Sequence, residues 1–486
     1  MKNYCTLIAL LSTQLLFAQT FTKVEEGLPF QAVACSSVVF FDANGDNHLD
    51  LIITGQTDDP DQPTSDLFFG DGSGGFTEVM NTPFTGVACS AVVTGDVNGD
   101  SYPDVMITGR DAEENPTAKL FLNDGIGTFA EVESVPFRQV AFSSSALGDI
   151  NGDGFLDLLI TGSDTFYNPD TRLYTNDGIG QFTEVSDTGF SPVSYSAVAI
   201  ADLNGDTHSD ILITGASSSG LVAELHINNG NGVFQLQEGT PFTGVTDSAV
   251  AIADVNGDSY PDVLISGTTQ TNPSSSATTL YLNNGSGNFT EDENANLEDV
   301  SFGTIDLSDI DRDGDLDLLI TGLNNETQQI TVLYVNDGAG NFTQVNDTPF
   351  APVWGSAVAF ADVNEDMLPD LIISGQSQFQ APFLTELYIN DGVTSTEQEL
   401  DATWSLDLYP IPSVGDILNI RLQAAENDEL FTRVLSPDGA VLMTTVRQII
   451  PGVNHLELDI SALPSGVYLL ELMLNESKAT RSFVVP

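Results

Sequence analysis

A nine-residue acidic segment recurs seven times along this chain and constrains the fold more than any other feature. The first copy is Asp42-Ala-Asn-Gly-Asp-Asn-His-Leu-Asp50, and the others begin at Asp96, Asp149, Asp202, Asp254, Asp309 and Asp362. Successive copies start 54, 53, 53, 52, 55 and 53 residues apart. Such a regular period is typical of repeat architectures, in which each period forms one structural unit.

Every period also contains four strand-like pieces in a fixed order. The first is small and β-branched, as in Ser196–Ile200, and the acidic segment follows it. The second is a continuous apolar run such as Leu158–Thr161, which is typical of a strand buried on both faces. The third reads Leu-Tyr-x-Asn, as at Leu280–Asn283, and the fourth reads Phe-Thr-Glu-Val, as at Phe182–Val185. We therefore predict an all-β chain with one antiparallel sheet per period, which indicates a seven-bladed β-propeller.

The ends of the repeat array are offset in a way that predicts a closed ring. The fourth-strand pattern appears first at Phe21–Val24, ahead of any complete period. It recurs, with some drift, from Phe76, Phe129, Phe182, Phe234, Phe289 and Phe342. After the seventh acidic segment, the third-strand piece Leu387–Asn390 is present but no Phe-Thr strand follows. We expect the N-terminal strand to complete the seventh blade, because closure removes an exposed sheet edge.

The acidic segment has the donor pattern of a calcium loop. Asp at positions 1, 5 and 9, with Asn or Asp at position 3, places alternate oxygen ligands around one point, as a hard cation requires. Position 7 varies freely, which suits a backbone carbonyl ligand and argues against the rings of His48 and His208 as ligands. Glycine at position 4 or 6 allows a positive φ. The alternative is an Asx-rich hairpin turn with solvated carboxylates, although clustered carboxylates without a cation would repel one another.

The predicted calcium ligands are the side chains at positions 1, 3, 5 and 9 of each loop. They are Asp42, Asn44, Asp46, Asp50; Asp96, Asn98, Asp100, Asp104; Asp149, Asn151, Asp153, Asp157; Asp202, Asn204, Asp206, Asp210; Asp254, Asn256, Asp258, Asp262; Asp309, Asp311, Asp313, Asp317; and Asp362, Asn364, Asp366, Asp370. Each loop joins two strands of one blade, so we expect the ions to be structural.

With these residues in place, the repeats over about residues 21–392 resemble FG-GAP and VCBS repeats, the calcium-binding blades of integrin α-subunit propellers and of many bacterial surface proteins. The resemblance implies a propeller fold and the calcium ligands given above. Two loops depart from the pattern. Arg312 occupies position 4 of loop six, and Glu365 occupies position 4 of loop seven, which has no glycine at either site. Loop seven is therefore the loop whose calcium binding the sequence supports least.

Composition changes after the last repeat. Residues 404–486 lack the acidic segment and show short alternating strands at Leu418–Leu422, Phe431–Leu435, His455–Leu458 and Val467–Leu474, which predict a small β-sandwich. Tyr409-Pro-Ile-Pro412, Ser465-Gly-Val-Tyr468 and the closing residues 478–485 resemble the type A C-terminal sorting domain of the Bacteroidetes type IX secretion system. A generic adhesive sandwich is the alternative. The resemblance implies passage across the outer membrane by the type IX machinery, then removal of this domain with release or surface attachment.

The N-terminus predicts an export signal at residues 1–18, because Lys2 precedes an apolar run at residues 7–17 that is too short to cross a bilayer. We thus expect a propeller at 19–392, a linker at 393–403, the sorting domain at 404–486 and no transmembrane segment. The mature chain keeps two cysteines, Cys35 and Cys89, each seven residues before its acidic loop. A disulfide is chemically allowed, but sheets stacked about 10 Å apart argue against it, and the sequence leaves both possibilities open.

Charge and motifs favour a binding role over catalysis. The chain carries 70 acidic and 12 basic residues, a net charge of -58 that suits neither nucleic acid nor an anionic membrane. None of the four histidines joins a nucleophile motif. We predict a secreted or surface-attached monomer that binds a glycan or a surface protein; a carbohydrate-active enzyme on the same propeller is the alternative. The aromatic residues near the first strands are candidate ligand contacts or channel plugs: Phe142, Tyr195, Phe302 and Trp354.

Overall fold

The computed structural model describes residues 18–25, 27–59, 62–271, 274–377, 382–394, 405–409, 417–424, 428–435, 441–461, 463, 466–474 and 477–485. The predicted signal peptide (apart from residue 18), most of the linker at 393–403, and Pro410–Pro412 of the sorting motif lie outside these residues. The chain divides into two compact units, Phe21–Gly392 and Val393–Pro486, the second grouped with Met1–Thr20. Within the described residues there is no helix long and apolar enough to cross a membrane.

The first unit contains seven sheets of antiparallel strands in sequential order, each representing one blade. The chain begins with β1 (Ala18–Lys23). Blades 1 to 3 contain β2 (Ala34–Phe41), β3 (Asp50–Gln56), β4 (Thr64–Gly70), β5 (Phe76–Glu78); β6 (Ala88–Gly95), β7 (Asp104–Arg110), β8 (Pro116–Asn123), β9 (Phe129–Glu131); and β10 (Ala141–Gly148), β11 (Asp157–Ser163), β12 (Pro169–Asn176), β13 (Phe182–Glu184).

Blades 4 to 7 repeat this order. They contain β14 (Ser194–Ala201), β15 (Asp210–Ser217), β16 (Gly220–Asn228), β17 (Phe234–Leu236); β18 (Thr246–Ala253), β19 (Asp262–Thr271), β20 (Ser274–Asn283), β21 (Phe289–Glu291); β22 (Val300–Ser301), β23 (Ile305–Ser308), β24 (Asp317–Asn324), β25 (Gln329–Asn336), β26 (Phe342–Gln344); and β27 (Trp354–Ala361), β28 (Asp370–Gln376), β29 (Phe383–Thr394). The predicted seven-bladed β-propeller is confirmed.

The ring closes as the offset of the repeats predicts. The seventh sheet has the order β1-β29-β28-β27, so the N-terminal strand supplies its outermost strand. The Val24 N–H donates to the Leu387 carbonyl at 2.9 Å, and Lys23 pairs with Glu386 at 2.6 Å. The ends of the array are thereby joined within one sheet, and no blade is left incomplete.

The apolar second strand of each blade serves two cores at once, which explains why its hydrophobic run is continuous. In β11, Leu158 and Ile160 pack in the core shared with blade 2, whereas Leu159 packs in the core shared with blade 4. Seven such clusters lie between neighbouring blades, one at each junction. Alternate side chains of a strand point to opposite faces, so a strand buried on both faces needs apolar residues throughout.

An asparagine at the end of the third strand links six of the seven blades to the preceding one. In blade 4 the Nδ2 of Asn228 donates to the carbonyls of Ile150, at 2.7 Å, and Ser209, at 2.9 Å. Equivalent bonds to the preceding blade come from Asn123, Asn176, Asn283, Asn336 and Asn390. Blade 1 has Gly70 at this position, and there the Gly74 N–H donates instead to the Val363 carbonyl at 3.0 Å.

The second unit contains two antiparallel sheets. The first comprises β30 (Ser405–Tyr409), β31 (Ile417–Ala424) and β34 (Gly452–Asp459), and the second β32 (Asp428–Leu435), β33 (Val441–Ile449), β35 (Gly466–Leu474) and β36 (Ser477–Val485). Leu418 and Leu458 of the first sheet share one buried cluster with Leu430 and Leu470 of the second, so the sheets pack face to face. The all-β fold class is confirmed in this unit as well.

Candidate functional site

The acidic loops join the first and second strands of each blade and fold around the aspartate at position 1. In blade 4, the N–H groups of Gly205 and Thr207 donate to the two carboxylate oxygens of Asp202, at 2.8 and 2.7 Å. The Asp206 N–H donates to Oδ1 of Asn204 at 2.8 Å. These side chains therefore hold the loop in a compact shape.

The aspartate at position 9 has a structural role that sequence reasoning missed. Asp210 is fully buried, and its carboxylate accepts N–H bonds from Leu203, at 3.0 Å, and from Asn228, at 2.8 Å. It thus connects the start of its loop to the end of the third strand in the same blade. Burial raises the pKa of Asp210 to about 6, while the two N–H bonds oppose that rise. The equivalent aspartates of the other six blades are also buried.

Positions 4 and 6 adopt positive φ in all seven loops, including the two that depart from the sequence pattern. Arg312 and Glu365 take φ of 64° and 61°, where most repeats have glycine. Neither side chain enters its own loop. Nη2 of Arg312 lies 3.7 Å from Sδ of Met367 in loop seven, and Glu365 pairs with His48 in loop one. Loops six and seven therefore keep the common backbone shape without glycine at position 4.

The oxygen donors fit a hard cation. Among the described His, Cys, Asp and Glu residues, one group of three has ligand atoms within 4.8 Å of one another, namely Asp309, Asp311 and Asp317 of loop six. The other six loops carry asparagine at position 3, so each presents three carboxylates and an amide oxygen. Carboxylate, amide and backbone carbonyl oxygens are the ligands that calcium prefers.

A ring of seven residues surrounds the opposite end of the propeller axis, where the first strand of each blade begins. All seven stand seven residues before an acidic loop and have φ between 48° and 55°: Cys35, Cys89, Phe142, Tyr195, Asp247, Phe302 and Gly355. We call this ring the mouth. In six blades the pairing of the first two strands shifts register at the mouth residue, which marks a β-bulge there. Backbone conformations of this kind concentrate at functional positions in proteins.

Neighbouring mouth residues contact one another around the axis. Phe142 stacks on Tyr195 with ring centroids 4.6 Å apart. The Phe302 N–H donates to the Asp247 carbonyl at 3.0 Å, and the Gly355 N–H donates to the Phe302 carbonyl at 2.7 Å. Side chains from different blades are therefore adjacent here, although they are far apart in sequence.

Cys35 and Cys89 are joined by a disulfide, with Cα atoms 4.5 Å apart. The sheet spacing that argued against this bridge applies to sheets packed face to face. At the mouth the blades converge on the axis, and the first strands of neighbouring blades approach much more closely. The bridge closes one junction of the ring, between blades 1 and 2.

The structure places the four predicted aromatic contacts at the mouth in two pairs. Tyr195 and Phe302 keep 37% and 40% of their surface exposed, while Phe142 and Trp354 are half-buried. Trp354 precedes the ring residue Gly355, and its ring lies 6.2 Å from that of Phe302. These rings are thus partly open to solvent and are not fully enclosed as a core would be.

Asp247 separates the two aromatic pairs and was not foreseen from the sequence. Burial raises the pKa of its carboxyl group to about 7. Its negative charge also contributes, after burial, to raising the pKa of Tyr195. A basic residue at the mouth, Arg110, forms an ion pair with Glu114 at 2.8 Å, and its guanidinium carbon lies 5.4 Å from the centroid of the Phe142 ring. The common spacing of seven residues before each loop was the signal that could have identified Asp247.

Comparison with known families identifies the repeats. The FG-GAP-like repeat model matches residues 42–107, 102–160, 149–213, 203–265 and 309–373, more than half of the chain. This protein belongs to that family. The secretion system C-terminal sorting domain model matches residues 407–486. The sorting domain assigns the protein to type IX export, so its destination is the medium or the cell surface. No curated protein sequence matches the chain.

Solved structures with a similar arrangement of strands are remote in sequence. AofleA from Arthrobotrys oligospora is 9% identical, covers 68% of this chain and 91% of its own, and has a TM-score of 0.39. Aleuria aurantia lectin is 11% identical over 66% of this chain and 99% of its own, with a TM-score of 0.36. A glycoside hydrolase family 43 arabinoxylan arabinofuranohydrolase from Bacillus subtilis is 10% identical over 96% of this chain and 98% of its own, with a TM-score of 0.30. Likenesses this distant do not indicate what the chain binds.

Proposed function

We propose that this exported protein is a calcium-stabilised binding module whose ligand, a glycan or a surface protein, docks at the mouth. The main support is the contrast between seven equivalent backbone positions and their unlike side chains. A disulfide, the Phe142–Tyr195 pair, an aspartate, a phenylalanine and a glycine occupy positions with nearly the same φ. A rigid scaffold with varied side chains at one end is the usual setting of a binding site.

The two ends of the propeller differ in the way this proposal requires. The acidic loops and the turns between third and fourth strands share one face, because the strands of each blade run antiparallel in sequence order. The mouth lies on the other face with the connections between second and third strands. These connections vary in chemistry, from Asp58-Asp59 in blade 1 to Phe166-Tyr167 in blade 3. We assign recognition to this variable face and calcium to the repetitive one.

Calcium is proposed because the loops concentrate negative charge that the protein itself does not neutralise. Residues 19–403 hold sixty acidic and six basic residues, about -54 in formal charge. Seven divalent ions would reduce this to about -40. In loop six, where a basic residue is present, Arg312 turns toward Met367 and away from its own carboxylates.

Binding is preferred to catalysis because two of the three described histidines of the propeller, His48 and His226, have structural contacts. His48 pairs with Glu365. His226 is buried beside Phe190, at 4.8 Å between ring centroids, and lies 3.2 Å from a carboxylate oxygen of Glu224. These surroundings give the buried imidazole a packing role in blade 4, where other blades have tyrosine or phenylalanine.

A binding screen on the full chain tests the proposal. Glycan arrays and a surface-protein display library are probed with wild type, with and without calcium, and with Tyr195→Ala and Trp354→Ala. Loss of binding with the melting temperature nearly intact is expected for both variants. Tyr102→Ala, which removes a ring of similar exposure from the calcium face, is the matched control and should bind normally. Normal binding by the mouth variants, or loss with Tyr102→Ala, would contradict the proposal.

A further inference from the structure

Blade 3 carries a cavity on the mouth face that belongs neither to the mouth nor to the calcium loops. Its volume is about 530 Å³, and its lining includes Arg138, Asp164, Phe166, Arg172, Tyr174 and Glu184. It lies where the connection from blade 2 meets the loop between the second and third strands of blade 3. Two of the six basic residues in 19–403 are gathered here, in a propeller that is otherwise strongly acidic.

The charged wall of the cavity is a chain of ion pairs with alternating sign. Arg138 bonds to Asp164 and to Asp170, each at 3.0 Å. Arg172 bonds to Asp170 and to Glu184, each at 2.6 Å. Each guanidinium has five N–H donors and uses two or three of them in these pairs, so donors remain free on both arginines. Asp164 and Asp170 fill their acceptor sites with these arginines and with nearby N–H groups, whereas Glu184, which accepts from Arg172, keeps acceptor sites free. The ion pairs fix these groups in place before any ligand arrives.

The rim presents aromatic rings held by a tight turn. Phe166 keeps 81% and Tyr167 64% of their surface exposed. The Phe166 N–H donates to Oδ1 of Asp164 at 2.8 Å, and the Tyr167 N–H donates to the Asp164 carbonyl at 2.9 Å. The Asn168 side chain also donates to the Asp164 carboxylate, at 3.1 Å. These bonds fix the backbone of the turn, which presents two large exposed rings that can stack on a flat apolar surface.

We infer that the blade 3 cavity is a binding site for a neutral sugar ring. The free N–H donors of Arg138 and Arg172 and the free acceptor sites of Glu184 match the hydroxyl groups of a pyranose, each of which both donates and accepts. Three carboxylates against two guanidinium groups disfavour an anion, and the two arginines disfavour a small cation. Phe166 supplies the stacking surface for the C–H face of the ring. The inference goes beyond the mouth site proposed above, and neither site requires the other.

The test uses the full chain with six neutral methyl pyranosides, those of D-glucose, D-mannose, D-galactose, D-xylose, L-fucose and N-acetyl-D-glucosamine. Methyl β-D-glucuronide serves as the anionic comparison. Saturation-transfer NMR and calorimetry should detect at least one neutral glycoside with a dissociation constant of about 1–10 mM, as befits a single small ring. The glucuronide should bind at least about tenfold more weakly because of the excess of carboxylates.

Two variants with matched controls locate the binding. Phe166→Ala should weaken the bound glycoside about tenfold, whereas Ile179→Ala, a 63% exposed residue in the opposite-face turn of the same blade, should not. Arg172→Ala should abolish detectable binding. Its control is Lys119→Ala, because Lys119 pairs with Glu131 at 3.0 Å at the equivalent position of blade 2. Equal shifts in melting temperature for these two variants would show that the loss of binding is not a loss of folding.

Several results would overturn the inference. They are the absence of binding by all six neutral glycosides, tighter binding of the glucuronide, and equal binding by Phe166→Ala and wild type. Tyr195→Ala separates this inference from the proposed mouth function, because it should leave the glycoside affinity unchanged. A glycoside that binds wild type but not Tyr195→Ala would place the sugar at the mouth and refute the cavity assignment.

Discussion

Replacing Asp247 with asparagine should stabilise the propeller at neutral and alkaline pH. Asp247 lies at the mouth, no described Lys, Arg or His forms an ion pair with it, and burial raises its pKa from 3.8 to about 7. In the unfolded chain the same carboxyl ionises near its ordinary value. Folding at pH 8 therefore requires a charged group to leave water, and asparagine of similar shape removes that requirement.

The size and sign of this stability change follow from the pKa values of Asp247 in the folded and unfolded states. A rise of about 3 units at about 1.36 kcal/mol each makes the ionised carboxylate destabilise the folded state by at most about 4 kcal/mol. Below pH 4 the group is protonated in both states and has no effect. Between pH 4 and about 7 the folded state binds the extra proton, so stability falls as pH rises. The entropy of unfolding is about 2.1 cal/mol/K per residue. Over Phe21–Gly392, a stability change of about 4 kcal/mol therefore shifts the melting temperature by roughly 5 °C.

The measurement is the melting temperature of wild type and Asp247→Asn from pH 4 to pH 8, in excess calcium so that the acidic loops are in the same state in both. The difference should be near zero at pH 4 and should reach its maximum above pH 7. Asp187→Asn is the control, since it removes the same charge from an exposed position in the connection between blades 3 and 4. A gain that is independent of pH, or an equal gain in the control, would refute the reasoning.

Three further predictions concern the loops, the blade junctions and the tail. Calcium should raise the melting temperature and EDTA should lower it, and an unchanged calorimetric transition would contradict calcium binding. Asp202→Ala should reduce stability more than Asp362→Ala, because loop seven lacks glycine at positions 4 and 6. Asn228→Ala should lower the free energy of unfolding measured in urea by about 2–3 kcal/mol, because one buried and one partly buried carbonyl lose their donor. Residues 404–486 should be absent from the secreted protein by mass spectrometry, and recovery of an intact Pro486 terminus as the major species would refute this.

The architecture was predictable because its determinants are local and repeated. The acidic segment, the apolar run and the Leu-Tyr-x-Asn piece recur in every blade or nearly so, and each specifies a strand or a turn by itself. The fourth-strand pattern at Phe21–Val24 was informative for the same reason. It precedes the first complete repeat, so it has no first three strands of its own and must pair with another blade. The structure confirms that it pairs with β29.

The mouth was only partly predictable because it depends on how the blades converge. Sequence reasoning selected Trp354 as an aromatic residue near the first strand, but the equivalent ring position is Gly355. It also judged the disulfide from the spacing of stacked sheets, which does not apply near the axis. The blade 3 cavity gave no sequence signal, because Arg138 and Arg172 lie 34 residues apart in sequence and meet only through Asp170.

The places where a repeated contact is missing indicate how the scaffold tolerates variation. At six junctions a hydroxyl at the end of the second strand bonds to a serine of the next blade at 2.7–2.8 Å, as in Thr214 and Ser248. At the junction of blades 5 and 6, Gly303 replaces that serine, and the first strand of blade 6 divides into β22 and β23. The asparagine link is missing at a different junction, that of blades 7 and 1. Each junction thus keeps at least one of the two links as well as its apolar core. Because these links are independent of the mouth and cavity side chains, binding residues can change while the ring persists.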